Sequence, residues 1–497
     1  MSINKLIFSL ILISIVVTKN PIVYEISIRP WLYELSIKYG RSITKLEDIP
    51  EEEIDFIADM GVDAVYIMGI WKLGEYGLNY DKTLDYDYVL PDWQEEDIIG
   101  SPFAITEYVC NPELGTDKDI QVLRWKFNIR RVKLYLDFVP NHSAIDGVKT
   151  STDEDMYIMA PPGKENQTNR YAENGLAYGA DYAHFAWVDV NQWNYFEPKT
   201  ITYMMNNLEK VLTYSDGVVC TRAYLEINDV FEKTWEDELT YFNYTKPEEE
   251  FWTIAINNAR KNFKTAVFIA EAYTDTHKEK LLELGFDYVL DADLRSKLLY
   301  SANDVNTYIK QGSIIPWEKT AHFIENHDTE RFVSSVDGDY EKAKAAGTIA
   351  ASVGGMVFMN HGQWYGRKYK LDIHLRRAAG EDNNNDMLSY YKQLLPILTN
   401  TAFKSPQYNY VETDNSDFVA YIREDESTDN HLLVVVNYSD TAKCGNVPIY
   451  NIKGLKYCLL YEPFSDEEYV RNVELIKKNG LQVCLKPWET QIFKYNY

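Results

Sequence analysis

The apolar positions of the chain follow two spacings, and each spacing predicts a different domain. As far as about residue 404, short β-branched and aromatic runs alternate with stretches of helical spacing. Such alternation predicts parallel strands joined by right-handed crossovers. Eight units over roughly 400 residues indicate a (β/α)8 barrel. The eight predicted strands begin near Ile22, Val62, Val132, Gly217, Ala266, Gly285, Ala321 and Gly355.

Two intervals depart from this alternation. Residues 141–195 are polar, aromatic and punctuated by Gly and Pro, and they are too long for a plain loop. We interpret them as a subdomain inserted after the third strand. Over 405–497, short strands follow one another with turn residues and no helices between them, which predicts an antiparallel β-sandwich. The predicted fold is therefore α/β, with the barrel formed by residues 21–140 and 196–404.

Residues 1–20 have the pattern of a targeting segment. Lys5 precedes an apolar run from Leu6 to Val17, and polar residues follow. This run is shorter than the roughly 20 residues that a membrane span requires, and it suits the hydrophobic region of a signal peptide. We therefore predict a protein that is secreted or in the lumen of the secretory pathway, with no transmembrane span beyond the leader. A short uncleaved anchor is the alternative, because no Ala-x-Ala pattern follows.

Cysteine usage and glycosylation sequons agree with this compartment. The chain has five cysteines, too few and of odd number for a disulfide framework, and no CxxC pair indicates zinc. One bridge within the C-terminal three is expected, among Cys444, Cys458 and Cys484. Sequons that predict glycosylation occur at Asn166, Asn243 and Asn437.

Net charge limits the class of partner. The formal charge of -26 repels phosphate backbones, and the sequence has no basic patch of useful size. We therefore predict no nucleic-acid partner. A neutral ligand such as a sugar is compatible with this charge, whereas the sequence leaves the oligomeric state open.

Candidate catalytic residues follow three of the predicted strands. A (β/α)8 barrel carries its active site at the carboxyl ends of the strands. Asp137-Phe-Val-Pro-Asn-His142 follows the third strand, Glu271 the fifth and Glu325-Asn-His-Asp328 the seventh. Carboxylates and imidazoles at three strand ends predict one shared pocket.

These segments resemble the conserved signatures of the α-amylase family, glycoside hydrolase family 13. Asp137–His142 resembles the first signature, Phe268–Ala272 the third and Phe323–Asp328 the fourth. Gly100–Thr116 is similar to the segment that this family places before its third strand. The likeness extends from about Pro21 into the C-terminal strands.

The resemblance implies a retaining mechanism on α-linked glucans or oligosaccharides, with two carboxyl groups about 5–5.5 Å apart. By motif position, Glu271 matches the acid/base, and Asp328 matches the carboxylate that grips sugar hydroxyls and stabilises the transition state. His142 and His327 match hydroxyl-binding histidines of the sugar subsite. No cofactor is required. Asn141 matches a position that contributes to a structural calcium site in many members, which implies such a site here.

The family's second signature is altered. It reads Gly-Phe-Arg-x-Asp, where the Arg orients the nucleophilic Asp, whereas this chain reads Gly-Val-Val-Cys-Thr over residues 217–221. Val219 therefore replaces the Arg, and Thr221 replaces the Asp. A threonine hydroxyl is not ionised near neutral pH, and loss of a nucleophile costs on the order of 10⁴–10⁶ in rate. The sequence therefore predicts impaired hydrolysis by the retaining route.

Other groups near the altered signature do not replace the missing pair. Glu226 and Asp229 lie further along the segment and are expected to point elsewhere. Strand alternation predicts that Arg222 faces away from Thr221, so it does not replace the lost Arg. Asp137 is expected to have a structural role inside the barrel mouth. An inverting route with Glu271 as acid and Asp328 as base is the catalytic alternative.

Three functional hypotheses remain. The first is a catalytically silent α-amylase-like protein that binds α-glucan. The second is a working hydrolase or transglycosylase with a rearranged site, supported by the retained Glu271. The third is a structural or interaction module without sugar binding. Titration with maltooligosaccharides separates the first hypothesis from the third, and turnover assays test the second.

Overall fold

Eight parallel strands form a closed barrel in the computed structural model. The model describes residues 20–495 except 182, 184, 185, 312–314, 426, 451 and 453–455, so the predicted leader before Asn20 lies outside the described residues. The strands are β1 (Ile22–Ser27), β2 (Ala64–Met68), β3 (Lys133–Phe138), β4 (Gly217–Cys220), β5 (Val267–Ala270), β6 (Tyr288–Asp291), β7 (Thr320–His322) and β8 (Met356–Asn360). Their order around the barrel is β1-β8-β7-β6-β5-β4-β3-β2. The predicted (β/α)8 architecture is confirmed.

The barrel strands are apolar on both faces because the two faces pack against different cores. Val219 and Ile269 point into the barrel, where they pack with Tyr66 and Phe358. The neighbouring Val218 packs outward against the surrounding helices. This alternation decides which residues at the ends of the strands can reach the barrel mouth.

Helices surround the barrel and connect its strands. The segment before β2 contains Ile28–Tyr39 and Glu51–Asp59, and the segment before β3 contains Glu75–Asp81 and Asp117–Asn128. The remaining helices of the barrel are Pro198–Tyr214, Asn228–Thr234, Glu236–Tyr241, Phe251–Asn262, Asp275–Glu283, Ala292–Leu298, Ala302–Gln311, Phe332–Ser335, Tyr340–Ser352, Asn385–Leu398 and Thr401–Lys404. Local sequence fixes several ends: Thr116 and Asp119 form a capping box that starts Asp117–Asn128.

Two excursions add small antiparallel sheets at the carboxyl end of the barrel. After β2, strand Trp71–Leu73 pairs with Ile105–Cys110. After β3, the region interpreted from sequence as a subdomain forms a three-stranded sheet of His142–Ala144, Ala186–Gln192 and Tyr178–Ala180, with Ala186–Gln192 in the centre. This sheet carries His142 and Trp187 to the barrel mouth.

The C-terminal domain consists of two antiparallel sheets around one apolar core. The six-stranded sheet contains, in spatial order, Tyr408–Tyr410, Phe418–Asp425, Asn430–Asn437, Thr490–Tyr495, Tyr457–Glu462 and Glu467–Asn472. The second sheet pairs Lys443–Val447 with Leu481–Leu485, and helix Val473–Asn479 precedes it. Side chains of both sheets share one hydrophobic cluster, as expected for a sandwich.

The C-terminal domain also contains a disulfide. Cys444 and Cys484 are directly opposite each other on paired strands and form the bridge. Cys458, the third cysteine of this domain, is free and half-buried. Across the described ranges, no helix is both long and apolar enough to cross a membrane.

Candidate active site

The strand register places Thr221 beside Glu271. Cys220 of β4 lies level with Ala270 of β5. The Glu271 N–H donates to the Cys220 carbonyl at 3.1 Å. Thr221 and Glu271 each follow one of these paired residues, so they lie side by side at the mouth of the barrel. This geometry agrees with the alignment in which Thr221 stands at the nucleophile position.

Val219 lies at the level where the family's Arg would stand. It pairs with Asp137 on β3 and with Ile269 on β5, and its side chain is buried in the barrel interior. Asp137 is completely buried, and burial raises the pKa of its carboxyl to about 7. Side chains at paired strand positions share one face, so an Arg at 219 would lie beside Asp137. The valine leaves that carboxyl without this cation.

Glu271 and Asp328 are brought together and have opposite pKa shifts. Burial and the charge of Asp328 raise the pKa of Glu271. The charge of His327 lowers the pKa of Asp328. The Tyr273 hydroxyl donates to Glu271 Oε1 and lies 3.4 Å from Asp328 Oδ2. Glu271 therefore favours its protonated form and Asp328 its ionised form. A general acid beside a stabilising anion requires this difference in pKa.

His327 links Asp328 to a carboxylate on the first strand. Its Nδ1 lies 2.7 Å from Glu25 Oε1, and its Nε2 lies 3.5 Å from Asp328 Oδ1. Burial opposes protonation, but the charges of Asp328 and Glu25 raise the pKa of His327 to about 10. The histidine is therefore a cation at neutral pH, held between two anions. Sequence analysis did not single out Glu25, although it is the one charged residue in the apolar strand β1.

His142 forms the opposite wall with an aromatic residue of the inserted sheet. Its ring centre lies 5.3 Å from that of Trp187. Burial and the charge of Arg222 lower the pKa of His142 to about 3, so its ring is neutral. A neutral imidazole can both donate to and accept from a hydroxyl, as the hydroxyl-binding role implies. Trp187 has no local signal in the sequence, because only the folded insertion brings it here.

The prediction for Arg222 was wrong. The strand ends at Cys220, and Arg222 has a left-handed backbone, with φ 49° and ψ 38°, so strand alternation does not apply to it. Its guanidinium carbon lies 5.1 Å from the Trp187 ring centre and 5.5 Å from that of Tyr273. Its backbone N–H donates to Glu271 Oε2 at 3.1 Å. Arg222 therefore brings a positive charge into the site, but between the aromatic walls rather than at the position of the lost Arg.

The other carboxylates of these segments do not line the cavity that contains Thr221 and Glu271. Glu226 is fully buried beneath the barrel mouth, where burial raises its pKa well above the usual value. Asp229 is exposed and pairs with Lys246. Glu325 pairs with Arg331 at 2.7 Å. Neither Glu226 nor Asp229 therefore lies beside Thr221 and Glu271.

The amide of Asn141 contacts two neighbouring side chains. Its Oδ1 accepts from Gln192 Nε2 at 3.0 Å, and its Nδ2 lies 3.3 Å from His142 Nδ1. Within the described part of the chain, no three His, Cys, Asp or Glu residues are grouped closely enough to hold a metal ion. Calcium also accepts Asn, Gln and backbone carbonyl oxygens, so the calcium site implied at Asn141 stays a prediction.

Known proteins with similar sequences include two α-amylases. No protein-family model matches the chain. Alpha-amylase 2 of Dictyoglomus thermophilum is 23% identical over 457 residues, covering 85% of this chain and 67% of that protein. Alpha-amylase 3 of the same organism is 21% identical over 531 aligned positions, covering 96% and 93% of the two chains.

Solved structures share the whole architecture. A noncanonic maltogenic α-amylase from Thermotoga neapolitana has a TM-score of 0.70 and 18% identity, with 96% of this chain and 99% of that chain covered. The chain is similar in sequence to α-amylases and shares their fold. Among the family signatures, those after β3, β5 and β7 are retained, and the one on β4 has lost its Arg and Asp.

Proposed function

We propose that this α-amylase-family protein binds α-linked glucans at the barrel mouth and lacks the retaining hydrolysis of the family. The observation that carries the proposal is the position of Thr221, side by side with Glu271 where the nucleophile should stand. A retaining reaction requires an ionised oxygen at that position to form the glycosyl–enzyme ester. Thr221 cannot supply one, and its neighbour Val219 cannot orient one.

The retained side chains support sugar binding. Asp328 and His142 offer an acceptor and a neutral imidazole to sugar hydroxyls, and Trp187 offers an aromatic face to a sugar ring. The cations His327 and Arg222 are balanced by the neighbouring carboxylates. A pocket of nearly balanced charge suits a neutral polyol better than an ionic ligand.

The names of similar proteins support α-linked glucans as the ligand class. Besides the two amylases, a cyclomaltodextrinase from Thermoanaerobacter pseudethanolicus is 20% identical over 70% of this chain. The amylase of Geobacillus thermoleovorans, with a TM-score of 0.70, was solved as a complex with acarbose. Maltooligosaccharides are therefore the first ligands to test.

Calorimetric titration with maltooligosaccharides, paired with turnover assays on starch, sucrose and trehalose, tests this function. We expect saturable binding, and no α-anomeric product from any substrate. Asp328→Asn should weaken binding about tenfold, because a charge-assisted hydrogen bond is worth roughly 1.5–3 kcal/mol. Asp440→Asn, at an exposed position of the C-terminal domain, is the matched control. Absence of binding would favour the interaction-module hypothesis, and α-anomeric turnover would contradict loss of the retaining route.

We also propose that the protein acts in the secretory pathway or outside the cell, as a glycoprotein. The leader pattern and the bridge between Cys444 and Cys484 support this compartment. Asn166 and Asn243 are exposed and suit glycan attachment. Asn437 is fully buried and donates to the Thr441 and Lys486 carbonyls, so its sequon is not expected to be used. Glycopeptide mass spectrometry of the protein from its native source should find glycans at the first two sites only.

A further inference from the structure

A small cavity lies beneath Glu271, where two short side chains replace the family's longer ones. Its walls include Val219 and Thr221 together with the carboxyl groups of Glu25 and Glu271. The remaining lining residues are Tyr66, Leu290, Phe323, Asn326, His327 and Phe358. The space open to the centre of a water molecule is about 10 Å³, roughly the room that one water needs.

Glu25 lines this cavity and has one unsatisfied carboxylate oxygen. The residue is 2% exposed, and its Oε1 is engaged by His327 Nδ1 at 2.7 Å. Its Oε2 is buried and makes no hydrogen bond with any residue that the structure describes. Leaving a buried charged acceptor unpaired costs several kcal/mol at most sites, so such an atom calls for a partner. A water in the adjoining cavity, also bonded to the Thr221 hydroxyl, would satisfy it.

We propose that Glu25 is the general base of an inverting hydrolysis, acting on a water molecule in the cavity that Val219 and Thr221 leave open. Glu271 is the general acid of the same reaction. This inference rests on the proposed binding of α-glucans, since the sugar must lie over the cavity.

The step balances without any further reactant. The water oxygen forms a bond to the anomeric carbon from the face opposite the leaving oxygen, and Glu25 Oε2 accepts the water proton. Glu271 donates its proton to the glycosidic oxygen as the bond from the anomeric carbon to that oxygen breaks. The products are a β-anomeric sugar and the free hydroxyl of the leaving glucan. Exchange with solvent then returns the proton to Glu271 and removes it from Glu25.

Glu25 suits the base role better than Asp328 does. Both carboxylates contact His327, but only Glu25 lines the cavity beneath Glu271. Asp328 lies at the open mouth beside the Tyr273 hydroxyl, on the side where it can grip sugar hydroxyls. Inverting enzymes need about 6.5–9.5 Å between the two carboxyl groups to leave room for water. Glu25 and Glu271 both line a cavity with room for about one water.

Proton NMR of the first sugar released from maltotriose tests the stereochemistry. Short incubations at a high concentration of the full chain, read at early time points, should show the β-anomer before mutarotation mixes the anomers. Glu25→Gln keeps an oxygen that can accept from His327 but removes the base, so kcat should fall about 10²–10⁴-fold. The Kd for maltotriose, measured by calorimetry, should change less than about threefold. Glu474→Gln, at an exposed helix position with a side chain 76% exposed, is the matched control.

A second variant tests the cavity without altering Glu25. Thr221→Val removes the hydroxyl that would orient the water, and we expect about a tenfold lower kcat with the same β-anomeric product. Circular dichroism of both variants checks that they fold. An α-anomeric product, or a Glu25→Gln variant as active as the native protein, would overturn the role of Glu25. Glucan binding without turnover would overturn it too, whereas absence of glucan binding would overturn the proposed function itself.

Discussion

The two sides of the barrel mouth have diverged to different extents. On the side of β5 and β7, Glu271, His327 and Asp328 keep the family's residue types, and their mutual charges set the pKa values that an acid and an anion need. On the side of β4, Val219 and Thr221 have replaced an ion pair by an apolar and a neutral side chain. The comparison teaches that one side of a barrel mouth can keep the residue types of a signature while the other side changes.

The replacements on the side of β4 lie beside two buried carboxyl groups, those of Asp137 and Glu25. Asp137 lies level with Val219, and burial without a nearby guanidinium raises its pKa to about 7. The space left below Glu271 adjoins an unpaired oxygen of Glu25. Restoring or removing single groups on each side should therefore have effects of predictable size.

Restoring both lost residues should have the largest effect. Val219→Arg with Thr221→Asp supplies an oriented, ionised nucleophile beside Glu271, so retaining hydrolysis of maltooligosaccharides should rise by on the order of 10⁴–10⁶ over the native protein. The new side chains fill the cavity, so the released sugar should be the α-anomer. Val219→Arg with Thr221→Asn is the control, since it restores shape without charge. If both double variants stay inactive, the residues on the side of β5 and β7 do not support retaining hydrolysis.

Removing the acid should abolish hydrolysis by either route. Glu271→Gln eliminates the proton donor, and kcat should fall about 10²–10⁴-fold in the Val219→Arg, Thr221→Asp background. Reducing-sugar release measures the loss, and calorimetry should show maltotriose affinity within a few-fold of the parent. A Glu271→Gln variant that keeps full activity would show that the acid lies elsewhere.

The buried carboxyl of Asp137 should make stability fall with pH. The folded pKa of about 7 exceeds the ordinary value of 3.8. The contribution of Asp137 to the free energy of unfolding is therefore fully present below about pH 4 and is lost as pH rises through about 7. Asparagine at position 137 does not titrate, so the Tm of Asp137→Asn relative to the native protein should rise between pH 4 and pH 8. The corresponding change in the relative free energy of unfolding is about a few kcal/mol.

The same experiment with Val219→Arg sharpens the comparison of the two sides. A guanidinium beside Asp137 lowers the pKa of that carboxyl, so the pH-dependent advantage of Asp137→Asn should shrink or vanish in that background. An advantage of equal size in both backgrounds would mean that residue 219 does not act on Asp137.

Tyr273→Phe should have the smallest effect. The hydroxyl of Tyr273 donates to Glu271 and so lowers the pKa of that carboxyl, in opposition to burial. Its removal should raise the pKa of Glu271 and move the alkaline limb of the kcat profile upward by less than about one pH unit. The profile is measured in the Val219→Arg, Thr221→Asp background, and a downward shift would contradict the assigned hydrogen bond.

Much of the fold and half of the site follow from sequence. Alternating strand and helix patterns predict the barrel, and parallel strands present their carboxyl ends at one edge, which brings Glu271 and Asp328 together. The replacements Val219 and Thr221 are also visible in sequence, because the signature on β4 has a fixed register. Periodicity within each segment suffices for these predictions.

Arg222, Glu25 and Trp187 joined the site only through tertiary structure. Strand alternation placed Arg222 outward, but the strand ends two residues earlier and the left-handed backbone turns the side chain into the mouth. Glu25 stands on a strand far away in sequence from His327, and Trp187 arrives with the inserted sheet. Local pattern determines which face of an element is apolar. Barrel closure and loop packing decide which charged side chains come into contact. These residues are far apart in sequence, so no helical or strand periodicity predicts that they meet.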